Sequence, residues 1–367
     1  MQRCTRFADG ATLARYPAPD AGPGTRVPLG PASPDRPPLA RGTAATMSSL
    51  AFVFPGQGSQ AVGMGRALAA VSPAAAAVFA QADEALGEPL SQLAWEGPVE
   101  ELDLTVNAQP ALLAASIAFL HALGERRAAA GLQQLVPAFA AGHSMGQYSA
   151  LVAAGVISLA DGIRLVRERG RLMQASGEGH PGAMAAIIGL PDERLDDLVA
   201  AGAAHGTFGV ANRNSPGQIV VSGARPAVEA AAAAAKGLGA KRAIVLPVSV
   251  AAHSPLMADA AAGMRVALAG VAFVDPVVPL LANADASPLT TAEACRAELV
   301  DHLMTGVDWI AAVGAMSGAG VTRFVEVGPG RVLTGLIRRI APDAEALPLD
   351  DPNAPGGLAD PDATAPA

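Results

Sequence analysis

Between residues 50 and 349 the chain alternates short apolar runs with Ala- and Leu-rich stretches, the pattern of an α/β fold built on a mainly parallel sheet. Residues 50–54 predict a first strand, which runs into the turn Pro55-Gly56-Gln57-Gly58-Ser59, and residues 60–71 predict a helix after it. Residues 136–141 predict a second buried strand. A sharp turn over 142–146 follows, then a helix over 145–154 that Gly155 stops. The stretch 182–248 has its own rhythm: a strand at 183–188, a helix opened by Pro191-Asp192-Glu193, strands near 208–211 and 218–222, an Ala-rich helix at 227–238 and a strand at 243–248. That order, βαββαβ, predicts an inserted ferredoxin-like subdomain. The main core resumes with apolar runs at 271–273, 277–282 and 324–327.

The ends lack such patterning. Residues 1–46 mix Pro, Gly, Arg and Ala with no apolar period and predict a disordered extension. Asp9, Asp20, Asp35 and the prolines spoil the acid-poor pattern of a transit peptide, so Met47 is read as the true start. Residues 350–367, rich in Pro, Asp and Ala, predict a disordered tail. The expected organisation is therefore a large subdomain in two parts, 47–181 and 249–349, around a small one at 182–248.

Composition narrows the function. With 51% hydrophobic and 16% charged residues the chain can bury a sizeable core. Cys4 and Cys295 lie far apart, so no disulfide framework or metal cluster is expected and a reducing, cytoplasmic compartment fits. The apolar run 111–120 is broken by Ser116 and followed by His121, short of the roughly 18 residues of a membrane span, and predicts a buried helix. A net charge of −8 disfavours nucleic acid and anionic membranes as partners.

The strongest chemical signal is Gly142-His143-Ser144-Met145-Gly146, a G-x-S-x-G between a predicted strand and helix. Glycines there permit a strained turn that lifts the Ser144 hydroxyl clear of the sheet at a helix N-terminus. The backbone N–H of Met145 is then one oxyanion donor. A serine nucleophile needs a base, and imidazole is the usual one. His253, in a small-residue turn after a predicted strand, leads the six histidines modestly. His143 adjoins the nucleophile and is expected to point away from it, lining the pocket. His302 sits on a predicted helix over 295–304. Spacing does not choose a third group among Asp161, Asp192, Asp196, Asp197, Asp259, Asp275 and Asp301. The Gly56/Gly58 pair lacks the third glycine and the acid of a dinucleotide site.

Taken in order, Phe54-Pro55-Gly56-Gln57-Gly58-Ser59-Gln60, Gln109-Pro110-Ala111-Leu112, the serine turn continuing into Tyr148-Ser149-Ala150-Leu151, Arg167-Glu168-Arg169-Gly170, Asn212-Arg213-Asn214-Ser215-Pro216-Gly217-Gln218, the stretch 248–253 and Val327-Gly328-Pro329-Gly330 resemble the malonyl-CoA:acyl carrier protein transacylases and the related acyltransferase domains of polyketide synthases. The resemblance implies an α/β-hydrolase-like large domain with the ferredoxin-like insert. It implies malonyl-CoA and acyl carrier protein as partners, no cofactor and no metal. Residue by residue, it implies Ser144 as nucleophile and His253 as base. Gln57 joins Met145 in the oxyanion hole, Arg169 pairs with the malonyl carboxylate, and Asn212 and His143 line the cleft. Taken alone, Arg169 is one of several solvated arginines on a helix with Arg164, Arg167 and Arg171.

The chain departs from the family where Gln147 stands in place of the usual Glu, a lost charge expected to bear on Arg169 or His253. The family orients its base by a backbone carbonyl, which here falls at His302. A serine thioesterase or esterase, a polyketide-pathway acyltransferase and a noncatalytic carrier-binding module are the competing readings. Arg169 argues against a general esterase, and the pairing of Ser144 with His253 against a mere binding module.

Overall fold

The computed structural model describes residues 49–248 and 250–350. The expected disordered extension at 1–46 and, of the tail expected at 350–367, all but Asp350 lie outside the described residues. Strands are labelled in chain order. The larger sheet holds β1 (Leu50–Phe54), β2 (Phe139–Gly142), β7 (Leu280–Leu281), β8 (Pro288–Leu289), β10 (Arg323–Glu326) and β11 (Glu345–Pro348), in the spatial order β11-β10-β1-β2-β7-β8. All its pairs are parallel except β7 with β8. β1 lies in the middle and is buried along its whole length, which accounts for its unbroken apolar run. Its side chains alternate: Phe52 and Phe54 join the core on one face, Ala51 and Val53 that on the other.

From β1 the chain proceeds to β2 and β7 on one side, and later to β10 and β11 on the other. Strand order thus reverses at β1, and a crevice opens at the carboxyl ends of β1 and β2. The turns 55–59 and 142–146 both lie there.

The smaller sheet holds β3 (Gly182–Ile188), β4 (Phe208–Ser215), β5 (Gln218–Ala224), β6 (Arg242–Val245) and β9 (Val307–Asp308), ordered β6-β3-β5-β4-β9. Helices Leu195–Ala203 and Arg225–Ala235 complete the expected βαββαβ order, with Ile187, Leu198, Val221 and Val228 in its core. β9 is an addition no pattern at 182–248 could announce, since it comes from the later part of the chain and pairs in parallel with Asn212 and Arg213. Its neighbour β4 shifts register between Val210 and Asn212, an irregularity that turns Asn212 toward the crevice.

Some expectations need correction. The helix expected over 60–71 is confined to Arg66–Val71, because Gly63 and Gly65 take φ of 95° and 75° and hold the preceding residues in turns. Residues 271–273 form no strand, and the run at 277–282 supplies only the two residues of β7. The apolar run at 111–120 belongs to the longer helix Thr105–Ala129, which by length and composition could cross a membrane. Some 83% of that window is buried inside the protein, against helices Pro73–Leu86 and Leu159–Gly179.

Candidate active site

β2 ends at Gly142 and helix Gly146–Ala153 begins four residues later, so the chain must reverse within the turn. It can do so only with glycine at both ends. A Cβ on Gly142 would lie 2.0 Å from the backbone carbon of Gly146, and one on Gly146 would lie 2.2 Å from the carbonyl oxygen of Phe54. Ser144 at the apex has φ 53°, a left-handed conformation that costs a non-glycine residue about 1–2 kcal/mol. Its backbone N–H donates to Asn283 Oδ1 at 2.8 Å.

Gln147 braces the same turn: its Oε1 accepts from the Gly142 N–H at 3.1 Å and its Nε2 donates to the Leu281 carbonyl at 3.0 Å. The buried amide of Gln147 is thus spent on the turn and the sheet. The first turn approaches closely, Gly56 sitting where a Cβ would meet the His143 carbonyl at 2.6 Å. Among the described residues no protein acceptor takes the backbone N–H of Gln57 or Met145.

His253 also has a left-handed backbone, φ 61°. Its Nε2 lies 2.8 Å from Ser144 Oγ and its Nδ1 lies 2.6 Å from the His302 carbonyl oxygen. A carbonyl only accepts, so Nδ1 carries the proton and the Nε2 lone pair faces the hydroxyl. That carbonyl is free because His302 lies in the last turn of helix Ala292–Thr305, where carbonyls have no partner within the helix. Burial pushes the His253 pKa down to about 3, helped by the nearby Arg169 charge and opposed by the His302 carbonyl. The imidazole is thus neutral, the form a general base requires. None of the aspartates weighed from the sequence bonds to it.

Arg169 is 1% exposed, whereas Arg164 and Arg171 on the same helix are solvated and ion-paired, and Arg167 meets Glu88. Arg169 Nη1 donates to Gln109 Oε1 at 2.9 Å, and Nη2 reaches Ser144 Oγ at 3.1 Å. Nη2 also lies 3.3 Å from His302 Nε2. Among the described residues no carboxylate pairs with it. Burial lowers its pKa, yet a guanidinium keeps its proton at any working pH. A charge held this far from water without a counter-ion is costly, and such a site suits an anion.

His143 lines the cleft as expected, its Nε2 2.8 Å from Asn214 Oδ1 and 3.5 Å from Asn212 Nδ2. Burial lowers its pKa, so it too is neutral. Asn212 Oδ1 is buried with no partner. Around these groups lies a cleft of about 520 Å³, lined by Ser144, Arg169 and His253 and by apolar residues that include Val248, Val250 and Leu336.

The site residues expected from the sequence therefore converge. Sequence reasoning missed Asn283, which holds the Ser144 backbone, and Glu298, whose Oε1 accepts the Asn283 N–H at 2.7 Å. Gln109 and Asn214 stand within the motifs, which give neither a role of its own. A polar residue directly after an apolar run, as Asn283 follows 277–282, was the available signal.

A hydroxyl, a neutral imidazole and free backbone donors are what acyl transfer to a serine requires, and the buried guanidinium adds a place for an anionic acyl group. The chain matches the family model described as acyl transferase domain over residues 51–348. The chain belongs to the acyl transferase family. Within it, this acyltransferase is 46% identical over 308 residues to a malonyl CoA-acyl carrier protein transacylase of Escherichia coli strain K12, covering 84% of this chain and 98% of that one. The solved malonyl-CoA:acyl carrier protein transacylase of Xanthomonas oryzae superposes with a TM-score of 0.79 at 44% identity, over 84% of this chain and 96% of that one. A malonyl-transacylase solved in complex with a type II polyketide synthase acyl-carrier protein gives a TM-score of 0.76 at 44% identity, over 82% and 95%.

Proposed function

We propose that this acyltransferase moves a malonyl group from malonyl-CoA to the phosphopantetheine thiol of acyl carrier protein, through an ester on Ser144, in fatty acid biosynthesis. The observation that carries the reading is Arg169: a buried guanidinium with only neutral partners, 3.1 Å from the hydroxyl to be acylated. His253 Nε2 takes the Ser144 proton as Oγ bonds to the thioester carbon. The resulting oxyanion is held by the backbone N–H groups of Gln57 and Met145. Collapse breaks the carbon–sulfur bond, and the departing CoA thiolate takes the proton from His253. In the second half the carrier thiol gives His253 its proton, its sulfur attacks the ester, and Ser144 Oγ leaves and is reprotonated.

The His302 carbonyl keeps the base in one tautomer throughout. Arg169 takes the malonyl carboxylate, and His143 and Asn212 offer polar contacts along the cleft. The fold serving this chemistry is α/β-hydrolase-like at 47–181 and 249–349, with a ferredoxin-like subdomain at 182–248; the parallel strand order and the βαββαβ sequence support it. The residues at hand need no cofactor and no metal, and we assign the enzyme to the cytoplasm. The test is to incubate the protein with radiolabelled malonyl-CoA and carrier protein. Label moves to the carrier on this reading, whereas label released as free malonate marks a thioesterase.

A further inference from the structure

The backbone of His302 has its task at His253, but its side chain faces elsewhere. The ring is 0% exposed, and its Nε2 lies 3.3 Å from Arg169 Nη2. A guanidinium offers only donors, so this contact requires a lone pair on Nε2 and places the ring proton on Nδ1. The groups against the ring are the Arg169 charge, the His253 ring 6.0 Å away, the Tyr148 ring at 6.3 Å and Glu298 Oε1, 3.9 Å from Nδ1; Arg169 disfavours a charged imidazole, and Glu298 alone among them favours one. Burial and the Arg169 charge push its pKa down in the same sense.

Arg169 therefore has two fixed neutral acceptors, Gln109 on Nη1 and His302 on Nη2, besides the reacting hydroxyl. Neither neutralises the charge, and together they fix the plane of the fork. A guanidinium on a flexible stem loses much of its advantage over a point charge unless its plane is set, because two parallel hydrogen bonds to a carboxylate need both nitrogens aimed.

We propose that the imidazole of His302, independently of its backbone carbonyl, is a positioning residue for Arg169 and so a determinant of the preference for carboxylated acyl groups. The proposal rests on Arg169 binding the acyl carboxylate. Because the two roles of residue 302 reside in different atoms, substitution separates them. A carbonyl orients His253 whatever side chain is present, while the aim of Arg169 depends on an acceptor at Nε2.

The experiment compares kcat/KM for malonyl-CoA and for acetyl-CoA in the wild type, His302→Phe and His302→Gln, with Arg169→Ala as reference. Phe keeps a ring without an acceptor, and Gln supplies an acceptor without the ring. The malonyl-to-acetyl ratio is expected to fall about 10-fold to 100-fold in His302→Phe, the worth of a hydrogen bond to a charged group, through KM as much as kcat. His302→Gln should restore most of it. If His302→Phe does not fold, His302→Ala is read in the same way. In the Arg169→Ala background the 302 substitution should leave the ratio where Arg169→Ala put it. Equal loss on both substrates in His302→Phe, or no recovery in His302→Gln, overturns the proposal. A ratio untouched by Arg169→Ala itself would instead overturn the carboxylate role of Arg169.

Discussion

Ser144 and His253 share a left-handed backbone, φ 53° and 61°, but the two segments that carry them are held by different means. Around the serine the restraint is steric and closed on every side. Gly142 and Gly146 leave no room even for a methyl group, Asn283 holds the apex N–H, and Gln147 ties the turn to β7. The histidine sits after β6 in a turn of small buried residues, Ala251 and Ala252, where the Ser254 hydroxyl donates to the Ala251 carbonyl at 2.7 Å. Apart from its contact with Ser144, its ring is held by a bond to a helix-end carbonyl. The nucleophile is thus placed by backbone shape and the base by a distant helix terminus. Arg169 spans the two regions, touching both Ser144 and His302.

This contrast can be broken at either end. His253→Ala removes the base itself and should lower acylation of Ser144 by roughly 100-fold to 10,000-fold, the usual worth of a positioned general base. Near-normal single-turnover rates in that variant would move the base elsewhere. Arg169→Ala tests the bridge between the regions. Loss of one partner of a desolvated charge pair costs about 2–5 kcal/mol, so the kcat/KM ratio of malonyl-CoA to acetyl-CoA should fall roughly 30-fold to several-thousand-fold. Lysine at 169 should recover only part of it, having no fork. An equal fall for both substrates would make Arg169 a structural arginine.

Gly146→Ala probes the steric side of the comparison. Its methyl group meets the Phe54 carbonyl, a backbone atom that cannot swing aside, so the turn must open. A displacement near 1 Å should cost about 100-fold in transfer, and thermal melting should report a loss on the order of 3 kcal/mol. Wild-type melting and activity would show that the turn is less closed than described.

The smallest effect concerns pH. With a His253 pKa of about 3 in the free enzyme, the base is already deprotonated across the neutral range. Since kcat/KM reports the free enzyme, acylation by a malonyl thioester lacking phosphate groups should be level from about pH 8 to pH 6. An inflection near 6.5, the ordinary imidazole value, would mean that burial and Arg169 do not depress the base as described.

Much of this was legible in the sequence, and for identifiable reasons. β1 matches its expected span because a strand buried on both faces leaves an unbroken apolar run between turn residues. β7 fills only two residues of its apolar run and β9 left no run at all, as their pairing depends on neighbours remote in the chain. Ser144 announced itself by its glycines, whereas Arg169 looked like its solvated neighbours, since its burial depends on packing against Thr105–Ala129 rather than on local pattern. The partner of Asn283 was hidden for the same reason, since it meets Ser144 across 139 positions of chain and its place after an apolar run shows only that it is polar at a strand end. For Gln147 the sequence showed a lost charge but not the hydrogen bond its amide makes to the Leu281 carbonyl.

The central claim is a malonyl ester on one serine, and peptide mass spectrometry tests it most directly. The protein is incubated with malonyl-CoA in the absence of carrier protein, digested, and the modified peptide sequenced, alongside Ser144→Ala. One malonyl group on the peptide containing Gly142-His143-Ser144-Met145-Gly146, located on Ser144 and absent from the variant, is the predicted result. A malonyl group on any other residue, or one that persists in Ser144→Ala, would contradict the account.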